Sequence, residues 1–350
     1  MCGIIGVIDQ EKKEMDGSHI KRALSMMNER GSGEGAGYAV YGVYPEFKDY
    51  YALHVFFDNI HENKTQFEST IESWGRIIHD EEIPTWEQPN LRKINTPWRY
   101  FFKPDRRLMA WSQSPEEDIV RHLVMKINTE KKGALIFSSA KNAGVFKASG
   151  WPEDVADFYR IDEYKGYLWI GHNRYPTNTP GWWGGAHPFN LLQWSVVHNG
   201  EITSYGTNRR YIESYGYYCT MFTDTEVVAY LIDLLVRQHG LPEELAVRAL
   251  TPPFWDEIDL MPLEERKLNS AIRLTYGSAL MNGPFAIIIA RDDLLMGFTD
   301  RIKLRPLVAG ENGNRLYISS EEAAIRQMDP EVQRTYLPRA GEPVIGRLLV

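Results

Sequence analysis

The chain opens with an unbroken apolar run, Ile4-Ile5-Gly6-Val7-Ile8, which is too short for a helix and predicts a buried strand. Between residues 15 and 29 the period changes. Ile20, Ala23, Leu24, Met26 and Met27 form a helical stripe that stops before Gly31. The glycine-rich stretch 30–37 follows, and strand text resumes after it. The first forty residues therefore read strand, helix, loop, strand. Further strands are predicted at 134–138, 144–147 and 167–170, with a helix at 152–159 among them. Thr223 is placed to cap a helix whose apolar positions are Val227, Val228, Tyr230, Leu231, Leu234 and Leu235. The last third returns to strands at 285–290, 294–298, 307–309 and 316–319. No repeat is evident, and the mixture predicts antiparallel sheets with helices outside them.

Residues 58–131 break this rhythm. They are charged and aromatic, Pro84, Pro89, Pro97 and Pro104 are expected to interrupt any long element, and a helix is predicted at 116–127. The segment reads as a subdomain inserted into a single domain spanning 1–350. Its cluster Trp98-Arg99-Tyr100-Phe101-Phe102-Lys103 has aromatic faces that bases could stack on, but ordinary packing or a partner surface fits better.

Composition narrows the function. The 350 residues are 43% hydrophobic and carry a net charge of −8, which suits a globular core and argues against nucleic acid or an anionic membrane as partner. Only Cys2 and Cys219 carry thiols, so neither a disulfide framework, a zinc site nor an iron–sulfur cluster is expected in this chain. The N-terminus has no basic leader and no apolar run approaches a membrane span, so a cytoplasmic protein is expected. The loop at 30–37 follows a helix and lacks the Lys-Ser/Thr ending of a phosphate-binding loop. A flexible flap over a pocket is the better reading.

The candidate chemistry begins at Cys2. Removal of Met1 would put a thiol, ordinarily titrating near ~8.5, and an α-amine near ~7.7–8.0 on one residue, so that nucleophile and base coincide. Motifs then crowd between Gly171 and Glu226: His172-Asn173-Arg174-Tyr175-Pro176-Thr177-Asn178-Thr179, a Trp182-Trp183-Gly184-Gly185 turn, His198-Asn199-Gly200-Glu201, and Thr223-Asp224-Thr225-Glu226. Asn199 and Gly200 offer an amide and a backbone N–H to an oxyanion. Arg174 offers a planar grip on a carboxylate, and Asp224 an acceptor for an ammonium. Together with Cys2 this set suits hydrolysis of an amino-acid amide, of which glutamine is the obvious case. Taken singly each residue has a plainer use: a surface arginine, a helix-start aspartate, an Asn-Gly turn. His172 and His198 read as packing or hydrogen-bonding residues, and Cys219 as buried.

At these motifs, and at Cys2-Gly3-Ile4, Arg30-Gly31, Asp300-Arg301, Leu304-Arg305-Pro306-Leu307 and Ser319-Ser320-Glu321, the chain closely resembles the class II glutamine amidotransferases. These belong to the N-terminal nucleophile hydrolases. The resemblance implies an α+β fold, a four-layer αββα sandwich of two antiparallel sheets between helices. It assigns Cys2 as nucleophile, Asn199 and Gly200 as oxyanion hole, and Arg174, Thr177 and Asp224 to the glutamine carboxylate and amine. Within the family the text is most similar to the glutaminase part of glutamate synthases, especially the free-standing subunits of archaeal-type and N-methylglutamate synthase systems. The chain holds no synthase barrel, so the resemblance implies a partner subunit carrying FMN and an iron–sulfur cluster, and no cofactor here. Two other readings stay open: an N-terminal-cysteine amidase acting on another amide, and a non-catalytic subunit of the same fold.

Overall fold

A computed structural model of the protein describes residues 1–91, 96–130, 132–176 and 181–349. Its first sheet has seven strands, running edge to edge as Arg334–Tyr336, Val308–Asn312, Arg315–Ser319, Gly3–Asp9, Leu168–Asn173, Ala36–Tyr41 and Ala143–Ala148. The opening apolar run lies near its middle, paired antiparallel to Leu168–Asn173 on one side and Arg315–Ser319 on the other. That explains its composition: a strand covered on both faces has no use for alternating polar residues. A second sheet of five strands runs Phe189–Leu191, Trp194–Gly200, Phe285–Arg291, Leu294–Thr299 and Val344–Arg347.

The two sheets stack face to face. Ile4, Ile8, Ala39, Leu168 and Ile170 of the first meet Val197, Ala286, Ile288 and Leu295 of the second in one core. The approach is close enough that a Cβ at Gly6 would fall 2.9 Å from Leu295. Helices Ser18–Ser25, Pro152–Phe158 and Glu322–Met328 cover the outer face of the first sheet through Ile20, Leu24, Val155 and Ile325. Helices Tyr205–Glu213 and Asp224–Ile232 cover the outer face of the second. The result is the α+β, four-layer αββα sandwich with antiparallel sheets. Truncating a fully buried side chain at its centre, such as Ile288, to Ala would cost about 2–5 kcal/mol.

Most predicted elements fall where the pattern placed them, with instructive differences. The first helix starts only at Ser18, because Met15–Asp16 pairs with Lys165–Gly166 and the Asp16 carboxylate accepts from the Ser18 N–H at 2.9 Å. It ends at Ser25, and a separate 3₁₀ turn covers Asn28–Arg30. The expectation that proline would break elements in 58–131 fails at Pro97 and Pro104. Both lie within the nine-residue strand Thr96–Pro104. Pro97 is second and Pro104 last in that strand, where a missing N–H disturbs the ladder least, and the Pro97 carbonyl still accepts from Ile83 at 3.0 Å.

That strand belongs to a third sheet, ordered Gly75–Glu82, Thr96–Pro104, Tyr51–Phe57, Ala134–Lys141. Helices Ile60–Glu72 and Glu116–Glu130 pack on one face of it around Leu53, Val55, Tyr100 and Phe102. The aromatic cluster is thus largely interior, with Tyr100, Phe101 and Phe102 buried. On the opposite face Phe56 stacks on Phe137 with ring centroids 4.1 Å apart. Among the described residues no helix is long and apolar enough to cross a membrane.

Candidate active site

The first strand begins at Gly3, the Leu168–Asn173 strand ends beside it, and the Trp194–Gly200 strand of the second sheet ends nearby. A cavity of about 260 Å³ opens where these ends meet, lined by Cys2, Arg174, His198, Gly200 and Asp224 among others. Its size lies just under the ~300–1,000 Å³ usual for drug-sized ligands and would admit a small molecule.

Cys2 is partly accessible from this cavity, and its sulfur accepts the Tyr175 backbone N–H at 3.2 Å. Desolvation pushes the thiol pKa up, while the Tyr175 N–H, the terminal amine and Arg174 pull the other way. Met1, whose removal would free the Cys2 amine, is 54% exposed.

Arg174 follows the strand directly. It is buried, and its backbone is pinned to the glycine-rich loop by bonds to Gly35 at 2.8 Å and Ser32 at 3.1 Å. Desolvation lowers its pKa, opposed by the charges of Cys2, Glu34 and Asp224. Asp224 is the first residue of its helix, which Thr223 caps by accepting the Glu226 N–H. The Asp224 carboxylate accepts from Ile202 N–H at 3.0 Å and from the Thr225 hydroxyl at 3.3 Å, and lies 3.5 Å from His198 Nδ1. Desolvation alone would raise its pKa, but His198 and these donors hold it below its usual value. A cation and an anion are therefore kept charged on one cavity that also holds a thiol.

Gly200 also lines the cavity, with φ +142° and a Cβ position that would lie 2.0 Å from the Pro284 carbonyl oxygen. No other residue fits there. Asn199 is buried and is not among the lining residues. Its Nδ2 donates to Ser320 Oγ at 3.4 Å, and that oxygen accepts from Ile4 N–H at 3.3 Å, which ties the amide to the start of the Cys2 strand. Thr177 lies outside the described residues.

His172 and His198 pack and hydrogen-bond as the sequence suggested, but two arrangements were not legible in it. The first is a stack of buried imidazoles. His172 lies on His187 at 3.9 Å, and Thr225 Oγ1 bridges His187 Nε2 at 3.2 Å and His198 Nδ1 at 3.1 Å. Burial pushes His172 and His187 well below their ordinary pKa, so both are neutral. The signal was the recurrence of His172, His187 and His198 among the crowded motifs. The second is Lys147, buried on the Ala143–Ala148 strand, with Nζ donating to the Ala186 carbonyl at 2.9 Å. A lone lysine in an apolar strand was its only mark. Among the described residues no cluster of His, Cys, Asp and Glu could hold a metal ion.

The sandwich with a thiol at its first strand is the architecture of the N-terminal nucleophile hydrolases. Within that class, a family model of class II glutamine amidotransferases matches residues 118–337, and the chain belongs to this family. It is 49% identical to an uncharacterised protein of Archaeoglobus fulgidus over 349 residues, covering 99% of this chain and 92% of that one. A putative glutamine amidotransferase of Methanothermobacter thermautotrophicus is 26% identical over 333 residues, 94% of either chain. The solved structure of the allosteric regulatory enzyme of purine biosynthesis superposes with a TM-score of 0.50 at 15% identity. That match covers 100% of this chain but 49% of the other, so the protein spans about half that structure's length.

Proposed function

We propose that the protein, once Met1 is removed, hydrolyses glutamine to glutamate and ammonia through a thioester on Cys2. The observation that carries this reading is the convergence of Cys2, Arg174 and Asp224 on one amino-acid-sized cavity. Arg174 takes the α-carboxylate and Asp224 the α-ammonium, which leaves the side-chain amide to the thiol. The Cys2 amine takes the thiol proton, sulfur attacks the amide carbon, and the oxyanion is held by the Asn199 amide and the Gly200 N–H. The C–N bond breaks with the amine's proton passing to the leaving nitrogen, ammonia departs, and water then cleaves the thioester to glutamate. Asn199 reaches this role only if its amide exchanges the long contact to Ser320 for the oxyanion, as catalytic hydrogen bonds often tighten on substrate binding.

Ammonia freed into water would be protonated and lost, so the reaction is most useful in a complex. Similarity of the motif region to glutamate synthase glutaminases supports a partner synthase subunit bearing FMN and an iron–sulfur cluster, which aminates a 2-oxo acid in the cytoplasm. The test is glutamine hydrolysis by the purified chain with and without such a subunit and its oxo acid. Coupling predicts a higher rate in the full mixture, and equal rates throughout would leave a plain glutaminase. An amidase of other specificity is separated by a substrate panel. A non-catalytic subunit is revealed by retention of Met1.

A further inference from the structure

The Arg174 guanidinium does not stand on its own strand alone. A Cβ built at Gly185 would fall 2.9 Å from both of its terminal nitrogens and 3.0 Å from its central carbon. The backbone of the turn around Trp183–Gly185 therefore forms a wall directly against the guanidinium plane. Gly184 is equally constrained, since its Cβ would lie 2.3 Å from the Trp182 ring.

Two other parts of the fold hold this turn. At one end the Trp183 ring packs on Phe56 of the third sheet, centroids 4.1 Å apart and inclined 60°, and Phe56 is backed by the stacked ring of Phe137. At the other end Lys147 of the first sheet donates to the Ala186 carbonyl, and His187 stacks on His172. The third sheet, made largely of residues that match no motif of the resemblance, thus touches the turn that backs Arg174 through the Trp183 indole.

We infer that Trp183, clamped by Phe56 and Phe137, is a positioning residue for Arg174, so that the third sheet sets how well the site grips the α-carboxylate of its substrate. The inference rests on the assignment of Arg174 to that carboxylate. A two-point contact between planar groups tolerates little displacement. Releasing the turn lets the guanidinium tilt while leaving Cys2, Asp224 and the end of the second sheet in place. Binding of carboxylate-bearing ligands weakens, and the intrinsic reactivity of the thiol does not change.

The experiment measures labelling of Cys2 in Trp183→Ala, Phe56→Leu, Trp183→Phe and Arg174→Lys variants of the full chain. The probes are a glutamine-analogue diazoketone, which carries the α-amine and α-carboxylate, and iodoacetamide, which carries neither. Saturation separates the half-saturating concentration from the maximal rate. Trp183→Ala and Phe56→Leu are expected to raise the half-saturating diazoketone concentration about tenfold, the lower end of what one hydrogen bond to a charged group contributes, with its maximal rate and the iodoacetamide rate unchanged. Trp183→Phe retains a ring against Phe56 and recovers most of the affinity. Phe56→Leu keeps the test valid should Trp183→Ala fold poorly. If Arg174→Lys weakens diazoketone binding but neither Trp183→Ala nor Phe56→Leu does, the positioning role is overturned and the carboxylate assignment stands. If Arg174→Lys itself leaves the preference for the diazoketone intact, both are overturned. Equal losses with the two probes would mean general damage to the site and would also overturn the inference.

Discussion

Replacing Lys147 with Met tests the electrostatics beneath the site, because the ammonium of Lys147 is buried and, among the described residues, has the Ala186 carbonyl as its hydrogen-bond partner. Burial lowers its pKa from 10.5 to about 7, opposed by the charge of Glu226 and reinforced by that of Arg174. At about 1.36 kcal/mol per pKa unit, this depression penalises the folded state by up to roughly 4–5 kcal/mol wherever the unfolded lysine is protonated. The sign follows from proton counts. Between about pH 7 and pH 10 the unfolded chain keeps the proton that the folded chain has lost, so stability from this group rises with pH; below about 7 the penalty is fully present. Met fills similar volume without charge and forgoes a hydrogen bond worth about 1 kcal/mol. The variant should therefore be the more stable protein near neutrality, with an advantage that shrinks by about 1.4 kcal/mol per pH unit and vanishes or reverses near pH 10. Urea unfolding of both proteins across this range gives the difference, in which thiols and tyrosines common to both cancel. A difference independent of pH would refute the buried-ammonium argument.

Three further outcomes are expected. Gly200→Ala should fold poorly or lose at least about 1–3 kcal/mol by thermal or urea melts, because φ +142° and the Pro284 carbonyl leave no room for a methyl. Asn199→Ala should lower kcat for glutamine by about 10²–10³ with little change in KM if its amide serves the oxyanion; a pure KM effect would restrict it to holding Ser320. Asp224→Asn should weaken glutamine far more than an analogue lacking the α-amine. Since the Asp224 pKa is held below its usual value, its contribution to binding should persist through mildly acidic pH and fade only as the carboxylate protonates, which a pH series of KM would show.

How much was legible in the sequence follows from which interactions are local. The strand at Gly3–Asp9, the Thr223 cap and the strands at Phe285–Arg291 and Leu294–Thr299 are written in runs of apolar residues or in one side chain bonding to the next turn. Cys2, Arg174, Gly200 and Asp224 were readable as chemistry, and the fold brings all four to one cavity. Asn199 was readable too, but its bond to Ser320 joins positions 121 apart in the chain, and nothing local announces it. Of the third sheet only the strand at Ala134–Lys141 was legible; Gly75–Glu82 and Thr96–Pro104 lie in the charged, proline-bearing segment, where prolines sit near both ends of the latter strand. Lys147 reads as an ordinary strand lysine until the His187 segment folds over it. The clamp of Phe56 on Trp183 joins two aromatic residues with no shared motif, and only the folded chain shows it.

The central claim is that Cys2 is the nucleophile of a glutamine-hydrolysing site. The most direct measurement is ammonia and glutamate release from glutamine by chain whose N-terminal residue is verified as Cys2, compared with Cys2→Ala and Cys219→Ala. The account predicts turnover by the wild type and by Cys219→Ala, and none by a folded Cys2→Ala. Undiminished glutamate release by Cys2→Ala would contradict it.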